Sequence, residues 1–261
     1  MTAPAVTPAP SEALIRFEGV HKAFGPKVVF DDLWLEVRKG ETLAVIGGSG
    51  AGKSVLLKCL IGLMDPDAGR IFFDGQDLSG YGEKEFLPVR RRVAMVFQAS
   101  ALFDSISVGE NIEYPLREHF PEMPEADRAA RVARVLSLVN LPGIEAMRPS
   151  DLSGGMRRRV GLARAIATDP EVILWDEPTT GLDPISTRTI DELIRSMRAK
   201  LRCTSIVVTH DMQSAFTVSD RIAMLANRHI VKVGTVAEMK ASTTKEVRAF
   251  LDARKGEARP D

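Results

Sequence analysis

The hydrophobic positions of this chain fall into two patterns, and each predicts a different kind of element. One short run, Thr42 to Ile46, is almost wholly apolar, which is typical of a strand buried on both faces. The segment that follows, Ser54 to Met64, is apolar almost all round, which is typical of a helix beneath a sheet. Later runs predict more strands on either side of a helix around Thr187 to Leu201; they are expected at 172–175, 205–209, 221–225 and 229–233.

Two other regions interrupt this alternation of strands and helices. Alternating apolar positions from 33 to 37, with short apolar runs at 14–17 and 71–73, predict a small layer of antiparallel strands. Residues 99–157 show no strong strand pattern, while apolar residues recur at helical spacing from Glu125 to Asn140. The prediction is therefore an α/β protein with a mainly parallel sheet, a small antiparallel β layer and a helical insertion at about 99–157.

Composition excludes some classes of protein. The 261 residues include 35 basic and 35 acidic side chains, so the formal net charge is zero, which argues against a general nucleic-acid binder. Two arginine runs, 90–92 and 157–159, would suit a phosphate or lipid headgroup, although solvated helix faces are the favoured interpretation. Cys59 and Cys203 lie far apart, which indicates neither a metal site nor a disulfide framework.

The sequence also gives an expectation for location and boundaries. No stretch approaches the roughly 18 apolar residues of a membrane span, and the N-terminus lacks the pattern of a signal peptide. We therefore expect a cytoplasmic protein. Residues 1–13, rich in Ala and Pro, are expected to be a disordered lead-in, residues 14–250 a domain, and residues 251–261 a short charged tail.

The loop between the first buried strand and its helix matches a phosphate-binding pattern. Every fixed position of G-x-x-x-x-G-K-[ST] is filled by Gly47-Gly48-Ser49-Gly50-Ala51-Gly52-Lys53-Ser54. Glycines let backbone N–H groups converge on phosphate oxygens, where a side chain would block the approach. In this interpretation Lys53 contacts the outer phosphates, the Ser54 hydroxyl ligates Mg²⁺, and the helix N-terminus adds partial positive charge. A glycine-rich turn without a ligand is the disfavoured alternative, because strand, loop and helix follow in the required order.

A second strand ends in two acidic residues that suit the other half of a nucleotide site. Four apolar residues, 172–175, lead into Asp176 and Glu177. Asp176 suits a direct or outer-sphere Mg²⁺ contact, whereas Glu177 points elsewhere and is placed to orient or deprotonate an attacking water. Two acids that merely cap the turn at Pro178 would be the better interpretation only if this segment stood alone.

At these residues the chain resembles the ATP-binding cassette (ABC) family, over about residues 14–250. Five further motifs stand in the family's order: Phe24 for the aromatic that stacks on adenine, Gln98 for the Q-loop, Leu152-Ser153-Gly154-Gly155-Met156 for the signature motif, Gly181-Leu182-Asp183 for the D-loop, and His210 for the switch histidine. Alone, Phe24 would be an ordinary core aromatic and His210 a strand-end histidine. Their order and spacing support the functional interpretation.

The resemblance implies an ATPase with a P-loop NTPase (RecA-like) fold. Its core and β layer would comprise residues 14–98 and 160–250. ATP and Mg²⁺ are the implied cofactors. Gln98 is expected to reach the metal and the lytic water, and Glu177 and His210 are expected to be catalytic with it.

The resemblance also implies a second copy of the chain. In the family, two protomers pack head to tail and sandwich two ATP molecules, each between one chain's phosphate loop and the other's signature motif. Ser153, as the N-cap of a helix predicted at 157–167, would then present its hydroxyl with the N–H groups of Gly154 and Gly155 to the γ-phosphate. Asp183 is expected beside the nucleotide. A lone protomer should therefore hydrolyse ATP slowly.

The helical region carries a narrower resemblance. In transporters of the family, coupling helices of a permease dock beside the Q-loop. The sequence of this region resembles that of the ATPase in the Gram-negative system that maintains outer-membrane lipid asymmetry. The resemblance lies in residues 97–104, 108–112 and 114–119. Met156, where most cassettes have glutamine, is similar to the same branch.

That branch implies a set of partners for intermembrane phospholipid transport. They are an integral membrane permease, a periplasmic lipid-binding protein of the mammalian-cell-entry (MCE) type and a small cytosolic accessory protein of the STAS type, with no nucleic acid. The chain would be peripheral on the cytoplasmic face of the inner membrane. Two alternatives stay open: the ABC ATPase of another importer or exporter, of amino acids or ions, and a soluble ABC protein of translation or DNA maintenance. Relatives of the latter kind usually have two tandem cassettes or a long coiled coil.

Overall fold

A six-stranded, mainly parallel sheet forms the centre of the fold. The computed structural model describes residues 13–98 and 100–257. Its strands are β1 (Ala13–Phe24), β2 (Lys27–Arg38), β3 (Thr42–Ile46), β4 (Ala68–Phe73), β5 (Gln76–Asp77), β6 (Val93–Val96), β7 (Val172–Asp176), β8 (Thr204–Thr209), β9 (Arg221–Ala226) and β10 (His229–Thr235). The central sheet has the order β10-β9-β3-β8-β7-β6. Only the β9–β10 pair is antiparallel among its described strands.

Helices cover the central sheet and form the inserted subdomain. They are α1 (Lys53–Leu60), α2 (Glu83–Arg92), α3 (Val108–His119), α4 (Glu125–Leu138), α5 (Gly154–Ile166), α6 (Pro184–Leu201), α7 (Met212–Val218), α8 (Val236–Lys240) and α9 (Lys245–Glu257). α3, α4 and α5 share one hydrophobic core that continues to Trp175 on β7. Among the helices of the described ranges, none is long and apolar enough to cross a lipid bilayer.

The carboxyl ends of the parallel strands bring three chain segments together. β3 pairs with β8, and β8 pairs with β7. Ile46 is opposite Thr209, and Asp176 is opposite Val208, so the residues that follow these strands share one edge of the sheet. Ligands of open α/β sheets bind at this edge. The phosphate loop, Glu177 and His210 therefore meet there.

The second sheet is a four-stranded antiparallel layer, in the order β2-β1-β4-β5. Phe17, Phe30 and Phe73 on its inner face are fully buried. They share a core with Leu56 and Leu57 of α1. Helix α1 is thus enclosed between the two sheets, which explains why its sequence is apolar almost all round.

The predicted fold class is confirmed, and several elements differ from the predictions. Helix α2 is unpredicted, because it contains Pro88 and buries only Phe86 and Val89, too few positions for a clear period. Residues 1–12 of the expected lead-in lie outside the described residues, and Ala13 already belongs to β1. The expected tail at 251–261 differs from the structure: α9 extends to Glu257, because Val247, with its neighbours Phe250 and Leu251, packs on a core shared with β9. Residues 258–261 lie outside the described residues.

Candidate functional site

The phosphate loop fits tightly between the two sheets. A Cβ atom on Gly47 would lie 2.5 Å from the carbonyl oxygen of Leu225. At Gly52, φ is +104°, and a Cβ atom would lie 2.4 Å from Val29 Cγ1 and 2.8 Å from Phe30 Cε1. The close contact at Gly47, and the positive φ with the close contacts at Gly52, exclude larger residues at both ends of the loop. The loop backbone is thereby fixed at the N-terminus of α1.

Lys53 is buried beside the loop, with 7% of its side chain exposed. Its ammonium group donates hydrogen bonds to the carbonyl oxygens of Gly47, at 3.0 Å, and Gly48, at 3.3 Å. Its Nζ also lies 3.4 Å from Glu177 Oε1. The positive charge is therefore held at the loop by the carboxylate that follows β7.

Ser54 and Asp176 face each other across the edge of the sheet. Ser54 Oγ donates to Asp176 Oδ1 at 2.6 Å. Within the described ranges, no group of three or more His, Cys, Asp or Glu side chains would hold a metal ion unaided. Mg²⁺ commonly takes one or two protein oxygens and completes its shell with waters and phosphate oxygens. A hydroxyl and a carboxylate beside a phosphate loop fit that ligand set.

Glu177 and His210 form one hydrogen-bonded unit. Glu177 Oε2 lies 2.7 Å from His210 Nδ1 and accepts from the backbone N–H of His210 at 3.3 Å. It also accepts from Thr180 Oγ1 at 3.0 Å. Glu177 has a left-handed backbone, with φ of +49°. The carboxylate is thus oriented by its neighbours on both sides.

These groups line an open cleft of about 560 Å³. The lining residues are Phe24, Lys27, Val29, Ser49, Gly50, Gly52, Lys53, Ser54, Val55, Gln98, Glu177, Thr180 and His210. Phe24 stands at the tip of the β1–β2 hairpin and is 45% exposed. The structure therefore brings together the phosphate loop, Phe24, Gln98, Glu177 and His210, as the sequence predicts, and Asp176 joins them through Ser54.

The signature and D-loop residues cap helices and, within the described part of the chain, do not line this cleft. Ser153 Oγ accepts from the N–H of Met156 at 3.2 Å, so it is the N-cap of α5, which begins three residues earlier than predicted. Asp183 accepts from the N–H groups of Ile185, at 2.9 Å, and Ser186, at 3.0 Å. Hydrogen bonds from the Ser186 hydroxyl and backbone hold the pKa of Asp183 below its usual range. Asp183 is thus an ionised cap at the start of α6.

Several residues in and near the cleft were not predicted as site residues. Lys27 and Thr180 line the cleft. Arg158 donates to the carbonyl oxygens of Glu177 and Pro178, at 3.1 and 2.9 Å, and to that of Thr180, at 3.0 Å. The interpretation of 157–159 as a solvated face is therefore wrong at Arg158. Consecutive helical residues point about 100° apart, so three arginines in a row cannot all face solvent on a packed helix.

The second arginine run is also structural. Arg90 donates to the carbonyl oxygens of Ile61, at 2.9 Å, and Gly62, at 3.1 Å. Arg92 forms a bidentate pair with Glu171, at 2.7 and 2.9 Å. The expectation of a solvated face is wrong at both positions, because these guanidinium groups bind carbonyl and carboxylate oxygens of neighbouring segments.

The site has the parts that phosphoryl transfer requires. They are a glycine loop at a helix N-terminus, a buried lysine, a hydroxyl–carboxylate pair and a carboxylate fixed beside a histidine. They define a P-loop nucleotide-binding site. A family model described as ABC transporter matches residues 30–180. The chain belongs to the ABC transporter family, binds ATP and is the ATPase of a transport system.

Individual relatives agree with this assignment. The intermembrane phospholipid transport system ATP-binding protein MlaF of Haemophilus influenzae is 41% identical over 248 residues, which cover 95% of this chain and 92% of the relative. The probable ribonucleotide transport ATP-binding protein mkl of Mycobacterium leprae is 40% identical over 94% of this chain and 71% of its own length. A dimeric structure of a post-hydrolysis state of the ATP-binding cassette MJ0796, bound to ADP and Pi, superposes with a TM-score of 0.78 at 28% identity, covering 85% of this chain and 98% of that one.

Proposed function

We propose that this chain powers phospholipid transport between membranes, as the ATPase of a complex with a separate integral membrane permease. The observation that carries the ATPase site is the cluster of Lys53, Glu177 and His210 around one cleft. The observation that favours lipid as cargo is the 41% identity to an intermembrane phospholipid transport ATPase along nearly the whole chain.

The proposed roles follow from position and charge. Lys53 and the loop N–H groups bind the outer phosphates of ATP. Ser54, Asp176 and Gln98 would hold Mg²⁺, which would supply positive charge at the phosphate oxygens. Glu177 takes a proton from the attacking water. Its carboxylate is suited to this because Thr180 and His210 fix one oxygen.

Adenine and the second copy complete the nucleotide site. Phe24 is exposed at the mouth of the cleft and offers a ring face for stacking on adenine. The N-terminus of α5 is exposed at Ser153 and Gly154, so its positive end is open to an anion. We infer that a second copy, packed head to tail, receives these donors at its own ATP, with Asp183 alongside. The dimeric neighbour bound to ADP and Pi supports the pairing of two copies.

An exposed aromatic surface, formed by the loop that follows Gln98 in the chain and by helix α3, suits a permease. Phe103 and Tyr114 stack edge to face at 5.2 Å and are 44% and 41% exposed. Asn111, fully buried, accepts from the N–H of Phe103 at 2.8 Å and donates to its carbonyl oxygen at 3.0 Å. The loop is therefore held rigidly with its aromatic ring outward. We propose that a cytoplasmic helix of the permease docks here, which places the chain on the cytoplasmic face of the inner membrane.

The names of two relatives indicate two candidate cargoes. The mycobacterial relative is nearly as similar and its name specifies ribonucleotides, so a ribonucleotide transporter is the second candidate. The nucleotide site does not distinguish the two, since it faces ATP rather than cargo. An MCE-type periplasmic lipid-binding protein and a STAS-type cytosolic protein are the partners expected for lipid transport.

Copurification tests the proposal directly. Affinity-tagged chain would be isolated from its native membranes in mild detergent, and its partners and bound small molecules identified by mass spectrometry. A permease with an MCE-type protein and copurified phospholipid is the expected result. The matched variant Phe103→Asp with Tyr114→Asp should lose the permease. A permease of another family, or a complex without copurified phospholipid, would overturn the lipid assignment.

A further inference from the structure

Arg158 connects the signature helix to the turn that carries Glu177. Its Nη1 donates to the carbonyl oxygens of Glu177, at 3.1 Å, and Pro178, at 2.9 Å, and its Nη2 donates to that of Thr180, at 3.0 Å. The guanidinium is half-buried, and burial lowers its pKa. One side chain on α5 therefore satisfies three carbonyl groups of a single turn.

That turn needs such a partner. Glu177 has φ of +49°, a left-handed conformation that is strained for a residue with a side chain. The three carbonyl oxygens converge, and their partial negative charges repel one another unless a cation lies between them. The N–H of Thr180 bonds to the carbonyl of Glu177 at 3.3 Å, and the Thr180 hydroxyl bonds to the Glu177 carboxylate at 3.0 Å. Holding the turn thus also orients the carboxylate.

The same helix begins at the signature motif. Ser153 caps α5, and Arg158 follows about 7.5 Å along the helix axis. In the proposed dimer, Ser153 acts on the ATP bound by the other copy, whereas Glu177 acts on the ATP bound by its own chain. In that dimer, the first turns of α5 therefore serve two ATP sites. Ser153 donates to one ATP, and Arg158 holds the turn that carries the base for the other.

We propose that Arg158 is a positioning residue for ATP hydrolysis. It holds the 177–180 turn so that the Glu177 carboxylate keeps its place against the attacking water, and it ties that turn to the helix that presents Ser153. This inference rests on the proposed role of Glu177 as base. It assigns Arg158 an effect on turnover and none on nucleotide contact.

Arg159 provides a matched control on the next position of α5. It donates to the carbonyl oxygens of Val139, at 3.3 Å, and Asn140, at 3.1 Å, at the end of α4. Burial lowers its pKa as well. The two arginines thus have the same chemistry and similar burial but hold different segments. Only one of those segments carries the proposed base.

The test compares Arg158→Gln with Arg159→Gln in the full chain, measuring steady-state kcat and KM, the Kd for ATP and the melting temperature. Both variants should lose a few degrees of melting temperature. Arg158→Gln should lower kcat by about a hundredfold, the cost of displacing a reacting group by roughly 1 Å, with Kd within about threefold of the parent. Arg159→Gln should keep kcat within about threefold. Equal losses of kcat in the two variants, or an unchanged kcat in Arg158→Gln, would overturn the proposal.

Two more variants keep the test decisive. If Arg158→Gln does not fold, Arg158→Lys takes its place, because lysine retains the charge but spans fewer carbonyl groups. The kcat of Arg158→Lys should still fall, with the Kd for ATP unchanged. An unchanged kcat in that variant would refute the role. Combined with Glu177→Gln, Arg158→Gln should lower kcat no further, because the residue acts through Glu177. A multiplicative loss would contradict this. Full turnover in Glu177→Gln alone would instead remove the proposed base.

Discussion

Replacing Glu177 with glutamine should separate ATP binding from ATP hydrolysis. The amide has the same size as the carboxylate, and its oxygen takes the place of Oε2, which accepts from Thr180 and His210. The NH₂ group then takes the place of Oε1, which lies 3.4 Å from Lys53 Nζ. The geometry of the turn is thus kept, while the base and the ion pair with Lys53 are both removed.

The magnitudes differ for the two steps. Loss of a general base typically lowers the rate by about 10² to 10⁴, or roughly 3 to 5 kcal/mol of barrier. A pair of unit charges 3.4 Å apart attracts by roughly 5 kcal/mol at an effective dielectric constant of 20, but desolvation offsets most of this. In the parent, breaking the ion pair between Lys53 and Glu177 when Lys53 moves to the phosphates of ATP therefore costs about 1 kcal/mol net. The variant should therefore bind ATP with equal or up to about fivefold higher affinity.

The assay pairs phosphate release at steady state with titration of a fluorescent ATP analogue. The expected result is a kcat at least a hundredfold below the parent, unchanged or tighter binding, and a dimer stable enough to be seen by gel filtration in ATP. Turnover within twofold of the parent would refute the base role. Binding weakened tenfold or more would refute the argument that Glu177 competes with phosphate for Lys53.

Three other substitutions test neighbouring parts of the structure. Lys53→Ala should weaken ATP binding itself by at least tenfold in the same titration; unchanged affinity would count against the phosphate-loop assignment. Gly52→Ala should lower the melting temperature by about 5 °C, because its Cβ would overlap Val29 and Phe30. Burial raises the pKa of Asp191, so the folded chain binds that proton more tightly and the aspartate becomes costlier as pH rises. Denaturant titrations of Asp191→Asn should therefore show a stability gain over the parent that is larger at pH 7 than at pH 4; an equal difference at both would contradict this.

Much of the fold and cleft could be predicted because the relevant signals are local. Buried parallel strands appear as short apolar runs, which the sequence shows directly. The phosphate-loop pattern indicates Lys53, and an apolar run that ends in two acids indicates Asp176 and Glu177. His210 is indicated by the family resemblance, and the structure places it at the same sheet edge as the others. The cap by Ser153 was also readable, since a hydroxyl before a helical period is a local signal. Asp183 carries the same signal, followed by proline at the first helical position, and its cap was missed.

The remaining features depend on contacts between distant segments. The three carbonyl oxygens that Arg158 binds come from a turn about 20 residues away, and nothing in the arginine run specifies that target. The bidentate pair of Arg92 with Glu171 joins the starts of two adjacent strands that are far apart in the chain. Sequence shows that such arginines exist. What each arginine holds depends on which segment packs beside it in the fold.

Helix α5 also contacts the segment that follows Gln98. Gly161 packs against Ser100, where an added Cβ would lie 3.2 Å from the carbonyl oxygen, and Arg164 donates to the carbonyl oxygens of Ser100, at 3.1 Å, and Ala101, at 2.8 Å. Arg158 holds the Glu177 turn from the same helix. A rigid rotation of α5 must therefore move the segments after β6 and β7 together. If the permease docks on the aromatic surface of Phe103 and Tyr114, force applied there reaches the proposed base through one helix, whatever the cargo is.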